Sequence, residues 1–152
     1  MRLLLQRVLR ARVTVDGAEV GAIGPGLMVL VGIGPEDTPE AVRVMADKTV
    51  DVRIFRDDRG RTDRSLMDVA GEVLAVSQFT LFGDTRKGRR PSFLGAAPPA
   101  LGEELYQQYA AAIEARGVRV ARGVFGAEME VELVNDGPMT IWLDTAAGAP
   151  PR

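Results

Sequence analysis

The sequence predicts an α+β fold, and three observations carry that prediction. Short apolar or alternating runs recur along the chain, which is the signature of strands. Gly, Asp-Gly and Gly-Pro-Gly signals separate them, which is the signature of tight turns. Only two segments, about 38–51 and about 99–116, carry apolar residues at helical spacing. Many antiparallel strands with two helices make an α+β domain. The 152 residues, 46% of them hydrophobic, suffice for one domain with a real core.

Residues 2–15 read as one long strand whose second half alternates Ala11, Val13 and Val15 with Arg12, Thr14 and Asp16. Asp16-Gly17 is a hairpin signal, so 19–23 should return antiparallel. Gly24-Pro25-Gly26 turns the chain into a fully buried strand over 27–31. Thr38, Pro39 and Glu40 supply a cap, a first-turn proline and a first-turn carboxylate. Val42, Met45, Ala46 and Thr49 then mark the buried face of the first helix. Arg53-Ile54-Phe55 reads as a short strand, and the charged segment 56–64 as a solvated turn. Residues 72–78 form the next buried strand, followed by an irregular stretch over 82–97 rich in Gly, Pro and Arg. Irregular loops of that length are often functional. Pro98-Pro99 opens the second helix, whose stripe is Leu101, Leu105, Tyr109 and Ile113, and Gly117 closes it. A short strand follows over 118–121. In 128–134, Met129, Val131 and Leu133 oppose Glu128, Glu130 and Glu132. Asn135-Asp136-Gly137 reads as a turn into a last strand, 139–143. The expected organisation is a single domain over 1–145 and a flexible tail over 146–152.

Composition narrows the chemistry. A net charge of -2 means that any anion site must come from local clustering. No run of about 18 apolar residues occurs, and the N-terminal apolar run is too short for a signal peptide, so a cytoplasmic protein without membrane contact is expected. The chain has no Cys, which excludes disulfides, a thiolate nucleophile and Cys-ligated zinc. It has no His, which removes the usual base near neutral pH and the commonest metal ligand. A Ser-His-Asp triad is therefore impossible within this chain.

Three stretches stand out. Ser77-Gln78-Phe79-Thr80-Leu81 puts polar groups where the apolar run Val73-Leu74-Ala75-Val76 would otherwise continue. Ordinarily this is only a strand end. Asn135-Asp136-Gly137-Pro138-Met139-Thr140 is ordinarily only a turn. Arg86-Lys87-Gly88-Arg89-Arg90 carries four cations in five positions and is either a solvated loop or a phosphate grip. Asp57, Asp58 and Asp63 could suggest a hard-metal site, but their turn-like setting favours simple solvation.

Taken together, these blocks resemble the D-aminoacyl-tRNA deacylases (D-tyrosyl-tRNA deacylase family) over roughly residues 1–145. The resemblance rests on Gln6-Arg7-Val8, Gly24-Pro25-Gly26-Leu27, Ser77-Gln78-Phe79-Thr80-Leu81, the loop from Asp84 to Phe93, and Asn135-Asp136-Gly137-Pro138 followed by Thr140. Met139 stands where the family pattern has Val, a conservative change. The resemblance implies two packed, mainly antiparallel sheets in a barrel-like sandwich, with two main helices on one side. It implies a cytosolic homodimer with active sites at the subunit interface. Its reaction is hydrolysis of the ester joining a D-amino acid to the terminal adenosine of tRNA, with glycyl-tRNA on tRNA(Ala) as a further substrate.

The resemblance also assigns roles. Ser77, Gln78, Phe79 and Thr80 line the catalytic pocket. Gly137-Pro138, as a cis pair from one subunit, walls the other subunit's pocket against L side chains, and Arg7 supports that pair. Arg86, Lys87, Arg89 and Arg90 contact tRNA. A backbone wall rejects by sterics without reading side-chain identity. Thr80 is a tempting nucleophile, but its hydroxyl needs a base that no His supplies. Backbone amides near Ser77, Gln78 and Phe79, with the ribose 2′-hydroxyl of the substrate, are the expected alternative. No cofactor, no metal, no DNA and no membrane partner are expected. A non-catalytic RNA-binding dimer and a metal-dependent small-molecule hydrolase stay open as rival classes; the missing His and Cys weigh against the second.

Overall fold

The strand β1, Arg2–Val15, organises the molecule, because three other strands pair with it. The structure is a computed structural model that describes residues 1–146. The expected tail over 146–152 therefore lies, apart from Ala146, outside the described residues.

Asp16 and Gly17, at φ of 50° and 77°, make the hairpin to β2, Ala18–Ile23. Positive φ at both central residues is what a two-residue hairpin needs. The N-terminal half of β1 pairs antiparallel with β3, Gly26–Gly32. Thr38 caps α1, Pro39–Asp51, by accepting a 3.2 Å hydrogen bond from the Ala41 amide. The remaining elements are β4 (Phe55–Arg56), β5 (Thr62–Arg64), β6 (Glu72–Ser77), a 3-10 turn (Phe79–Phe82), α2 (Pro99–Ala115), β7 (Val120–Arg122) and β8 (Glu130–Asp144).

The six-stranded sheet runs β2-β1-β3-β6-β7, with β8 on the other edge of β1. Three of its pairings are antiparallel, whereas β3–β6 and β6–β7 are parallel. Both faces of its middle are covered. Leu27, Val29, Val31, Val73 and Ala75 face α1 and α2, while Met28, Leu74 and Val76 face an inner core with Val8, Val13 and Ile23. Double burial explains why β3 and β6 are continuous apolar runs. The sheet curls until β2 meets β7. There a Cβ on Gly21 would lie 2.8 Å from the Arg122 carbonyl oxygen, so the approach needs glycine. Arg119 Nη1 donates to the Ala22 carbonyl across the same seam at 3.2 Å. This gives the expected barrel-like α+β architecture, with the two helices on one side and β4–β5 as a small second sheet.

Four local expectations need correction. β4 is Phe55–Arg56 rather than 53–55. Residues 56–64 are not only a turn, because Thr62–Arg64 pairs back on β4. The chain after Gln78 closes a 3-10 turn instead of entering the loop directly. Most importantly, Asn135-Asp136-Gly137 does not reverse the chain. Both halves of β8 pair antiparallel with the same strand, Glu130 opposite Thr14 and Asp144 opposite Arg2. Between the pairs Val8–Asn135 and Gln6–Thr140, Arg7 alone faces Asp136, Gly137, Pro138 and Met139. The surplus residues are pushed out as a bulge.

Candidate active site

β6 ends at Ser77 because its neighbour β3 ends at Gly32. The Gln78 amide makes one last cross-strand bond to the Val31 carbonyl, at 2.8 Å. The 3-10 turn then forms, with Leu81 N–H donating to Gln78 O (3.2 Å) and Gly83 N–H to Thr80 O (3.0 Å). The first amides of such a turn lack internal acceptors. Those of Phe79 and Thr80 have no acceptor among the described residues.

Ser77, Gln78 and Phe79 line a cavity of about 530 Å³. Its other walls include Tyr106 and Gly102 from α2, with Phe125 and Met129 from the β7–β8 connection. Tyr106 is the one ionisable side chain lining it among the described residues. Its hydroxyl donates to the Ala75 carbonyl at 2.8 Å, and burial pushes its pKa up to about 12. Tyr106 is thus a neutral, fixed donor near pH 7 and not a proton shuttle. Thr80 lies one residue beyond the lining and is exposed. Its hydroxyl takes a hydrogen bond from Gln78 Nε2, and no carboxylate reaches it among the described residues. The expectation of free amides near Ser77, Gln78 and Phe79 is therefore narrowed: Gln78 is engaged, and Phe79 and Thr80 are free.

Gly137 and Pro138 sit elsewhere on the chain. They are exposed at the crest of the β8 bulge, joined by a cis peptide bond, and do not line this chain's own cavity. Arg7 is 2% exposed, far from an ordinary surface ion pair. It shares a face with Leu3 and Leu5, so its guanidinium enters the helix-side core beneath the bulge. Its Nη1 donates to the Ile54 carbonyl, and its Nε forms an ion pair with Asp136 Oδ2 at 2.8 Å, outside hydrogen-bonding angle. Asn135 Nδ2 spans the neck of the bulge, donating to Arg7 O (2.9 Å) and Met139 O (3.1 Å). Arg56 adds a 3.4 Å contact to Asp136.

The basic loop is closed by paired backbone bonds between Asp84 and Ser92, of 2.8 and 2.9 Å. Arg86 is exposed but already paired. It folds back on Asp84 through two side-chain bonds, of 2.9 and 2.6 Å, which hold the Asp84 carboxyl down at about 2. Lys87, Arg89 and Arg90 are exposed, with no ion-pair partner among the described residues. Phe93, at the far end of the loop, meets Phe79 edge-to-face at 5.1 Å on the cavity wall.

Asp57, Asp58 and Asp63 pair with Arg61, Arg64 and Arg53 respectively. Among the described residues, no three acidic side chains converge as a metal site would require. A larger groove, of about 790 Å³, runs along Arg10–Arg12 and Val131–Val134, but it carries the Arg12–Glu132 ion pair and none of the motif residues. No helix among the described residues is long and apolar enough to cross a membrane.

The cavity contributions of Tyr106, Phe125 and Met129 were not anticipated from sequence. One signal was present: Gly102 and Tyr106 lie four apart and share a face of α2. Nothing local marks Phe125.

Comparison with known proteins places the fold in a family. A family profile described as D-Tyr-tRNA(Tyr) deacylase matches residues 4–144. The chain is 55% identical to a D-aminoacyl-tRNA deacylase of Deinococcus radiodurans, covering 95% of this chain and 99% of that one. It is 53% identical to one of Roseiflexus castenholzii, covering 100% and 97%. A solved structure described as c-Myc DNA Unwinding Element Binding Protein superposes with a TM-score of 0.89 at 40% identity, covering 95% and 99%. Another, described as a probable eukaryotic D-amino acid tRNA deacylase, shares the fold with a TM-score of 0.81 at 22% identity, covering 93% and 97%. Fold and matches together define a hydrolase of aminoacyl-tRNA esters. More particularly, the chain belongs to the D-Tyr-tRNA(Tyr) deacylase family.

Proposed function

We propose that this chain, as a cytoplasmic homodimer without cofactor or metal, hydrolyses D-aminoacyl-tRNA to free D-amino acid and tRNA and spares L-aminoacyl-tRNA. The observation that carries the reading is the cavity under Ser77, Gln78 and Phe79. Among the described residues its one ionisable group, Tyr106, is locked to Ala75 O, and the Phe79 and Thr80 amides at its edge have no acceptor. A site of that kind stabilises developing negative charge without moving protons through the protein. The carbonyl oxygen of the ester takes hydrogen bonds from these amides. Water adds to the carbonyl carbon, assisted by the ribose 2′-hydroxyl. The ester C–O bond then breaks, and the leaving ribose oxygen takes the proton. Reliance on the 2′-hydroxyl makes RNA, not DNA, the partner.

Selection in this reading is steric. Gly137-Pro138 of a second subunit stands over the cavity, and its backbone leaves no space for an L side chain while a D side chain points away. Arg7, through Asp136, holds that bulge. The exposed crest position of the pair, outside its own chain's cavity, suits a part that serves another subunit. Glycine esters, including glycyl-tRNA(Ala), pass the same wall because they have nothing to be rejected. Lys87, Arg89 and Arg90 meet phosphates of the acceptor stem; Arg86 shapes their loop through Asp84. The functional unit is the domain over 1–145.

The test is hydrolysis of one tRNA charged with D-tyrosine or L-tyrosine, with chelator present. Rapid loss of the D-ester alone supports the proposal. Survival of both esters while tRNA still binds would replace it with a non-catalytic RNA-binding role.

A further inference from the structure

The 3-10 turn that carries the free Phe79 and Thr80 amides must be held in place if those amides are to meet the ester. Its start is fixed by the Gln78–Val31 backbone bond. Its end, Leu81–Phe82, rests on glycines of the β3 end. A Cβ on Gly32 would lie 3.1 Å from Leu81 Cβ and 3.2 Å from the Phe82 ring, and one on Gly34 would lie 3.1 Å from that ring. The ring therefore packs on bare backbone, and a side chain covers its face.

Arg2 does so. Its guanidinium carbon stands 4.4 Å from the Phe82 ring centroid and 6.0 Å from that of Trp142. Its Nη1 donates to the Leu81 carbonyl at 2.9 Å. Its Nε is anchored by Asp144 Oδ2, at 3.1 Å, on the register partner of Arg2 in β8. Among the described residues, no other side chain hydrogen-bonds the backbone of 79–83. A planar guanidinium can stack on a ring and donate in two in-plane directions at once, and an ammonium cannot.

We infer that Arg2 is a positioning residue for the proposed reaction: stacked on Phe82 and anchored by Asp144, it clamps the 3-10 turn whose Phe79 and Thr80 amides serve the ester carbonyl. The inference rests on the functional reading above. Arg2 touches no reacting atom and acts through the turn. Losing the clamp lets the turn shift, and misplacement on the order of 1 Å costs roughly 100-fold in rate.

The experiment compares wild type with Arg2→Met and Arg2→Lys, measuring amide hydrogen exchange at Leu81 and Gly83 beside kcat and KM on the D-tyrosyl ester. Arg2→Met is expected to speed exchange at both amides and to lower kcat about 10- to 100-fold, with KM changed less than about twofold. Arg2→Lys, which keeps the charge but not the two-directional donation, is expected to recover only part of kcat. Unchanged exchange and unchanged kcat in Arg2→Met would overturn the inference, as would full recovery by Arg2→Lys. A wild type inactive on the D-ester would sink the functional reading separately, and the exchange measurement, which needs no substrate, would still decide whether Arg2 clamps the turn.

Discussion

Replacing Arg7 with methionine tests whether the bulge is held from below. The substitution keeps aliphatic bulk among Leu3, Leu5 and their neighbours but strips two interactions. The Ile54 carbonyl loses its charged donor, and Asp136 loses the Nε ion pair at 2.8 Å. A hydrogen bond to a charged group is worth about 1.5–3 kcal/mol. Breaking a buried ion pair costs about 3–5 kcal/mol, but the Asp136 side chain is 28% exposed and keeps Arg56 nearby, so this part is reduced to about 1 kcal/mol. The total is about 3 kcal/mol, against about 0–1 for a surface pair. For a domain of this size each kcal/mol is worth roughly 2–4 °C, so melting should fall by about 6–12 °C. Thermal unfolding followed by circular dichroism measures this. Hydrolysis of D- and L-tyrosyl esters well below the melting point measures the consequence, an L-ester rate raised about tenfold or more relative to the D-ester. A variant that melts within about 1 °C of wild type and still rejects the L-ester would refute the reasoning.

Other expectations follow from the same geometry. Lys87→Ala with Arg89→Ala should weaken tRNA binding and flatten its salt dependence by about 0.9 per lost phosphate contact, leaving the D-over-L ratio unchanged. Arg86→Ala alone should change that slope less, because Arg86 is spent on Asp84. Thr80→Ala should retain most turnover; near-complete loss with intact binding would mean that the hydroxyl, not the amides, does the chemistry. The pH profile of kcat should show no imidazole-type inflection near about 6.5, and Tyr106 should contribute none below the range of its raised pKa of about 12. Asp84, with its carboxyl lowered from 3.8 to about 2, should favour the closed loop at any pH above the unfolded value and lose that contribution as pH falls toward 2. An NMR titration of Asp84 checks it.

Most elements were legible because their signals are local. Thr38-Pro39 announces a helix start wherever it stands, and Asp16-Gly17 announces a hairpin. What was not legible depends on distant partners. Asn135-Asp136-Gly137-Pro138 has the composition of a turn; it becomes a bulge only because β1 is long enough to pair with both sides of it. Thr62-Asp63-Arg64 is too polar to read as a strand and is one only because β4 lies opposite. The burial of Arg7 follows its alternation with Leu3 and Leu5, but Asp136 and Ile54 as its partners required the fold. The motif residues Ser77, Gln78 and Phe79 were readable as a group, whereas the cavity behind them needed Tyr106 and Phe125 brought in from α2 and the chain beyond β7. Arg2 carries no local signal at all; its meaning comes from Phe82, Trp142 and Asp144.

The measurement closest to the central claim is kcat/KM of the wild-type protein on glycyl, D-tyrosyl and L-tyrosyl esters of the same tRNA. A site that rejects by a backbone wall hydrolyses the glycyl and D-tyrosyl esters and leaves the L-tyrosyl ester intact. If glycine is spared along with L-tyrosine while D-tyrosine is cut, the site captures D side chains by contact, and the account of a rejecting wall is wrong.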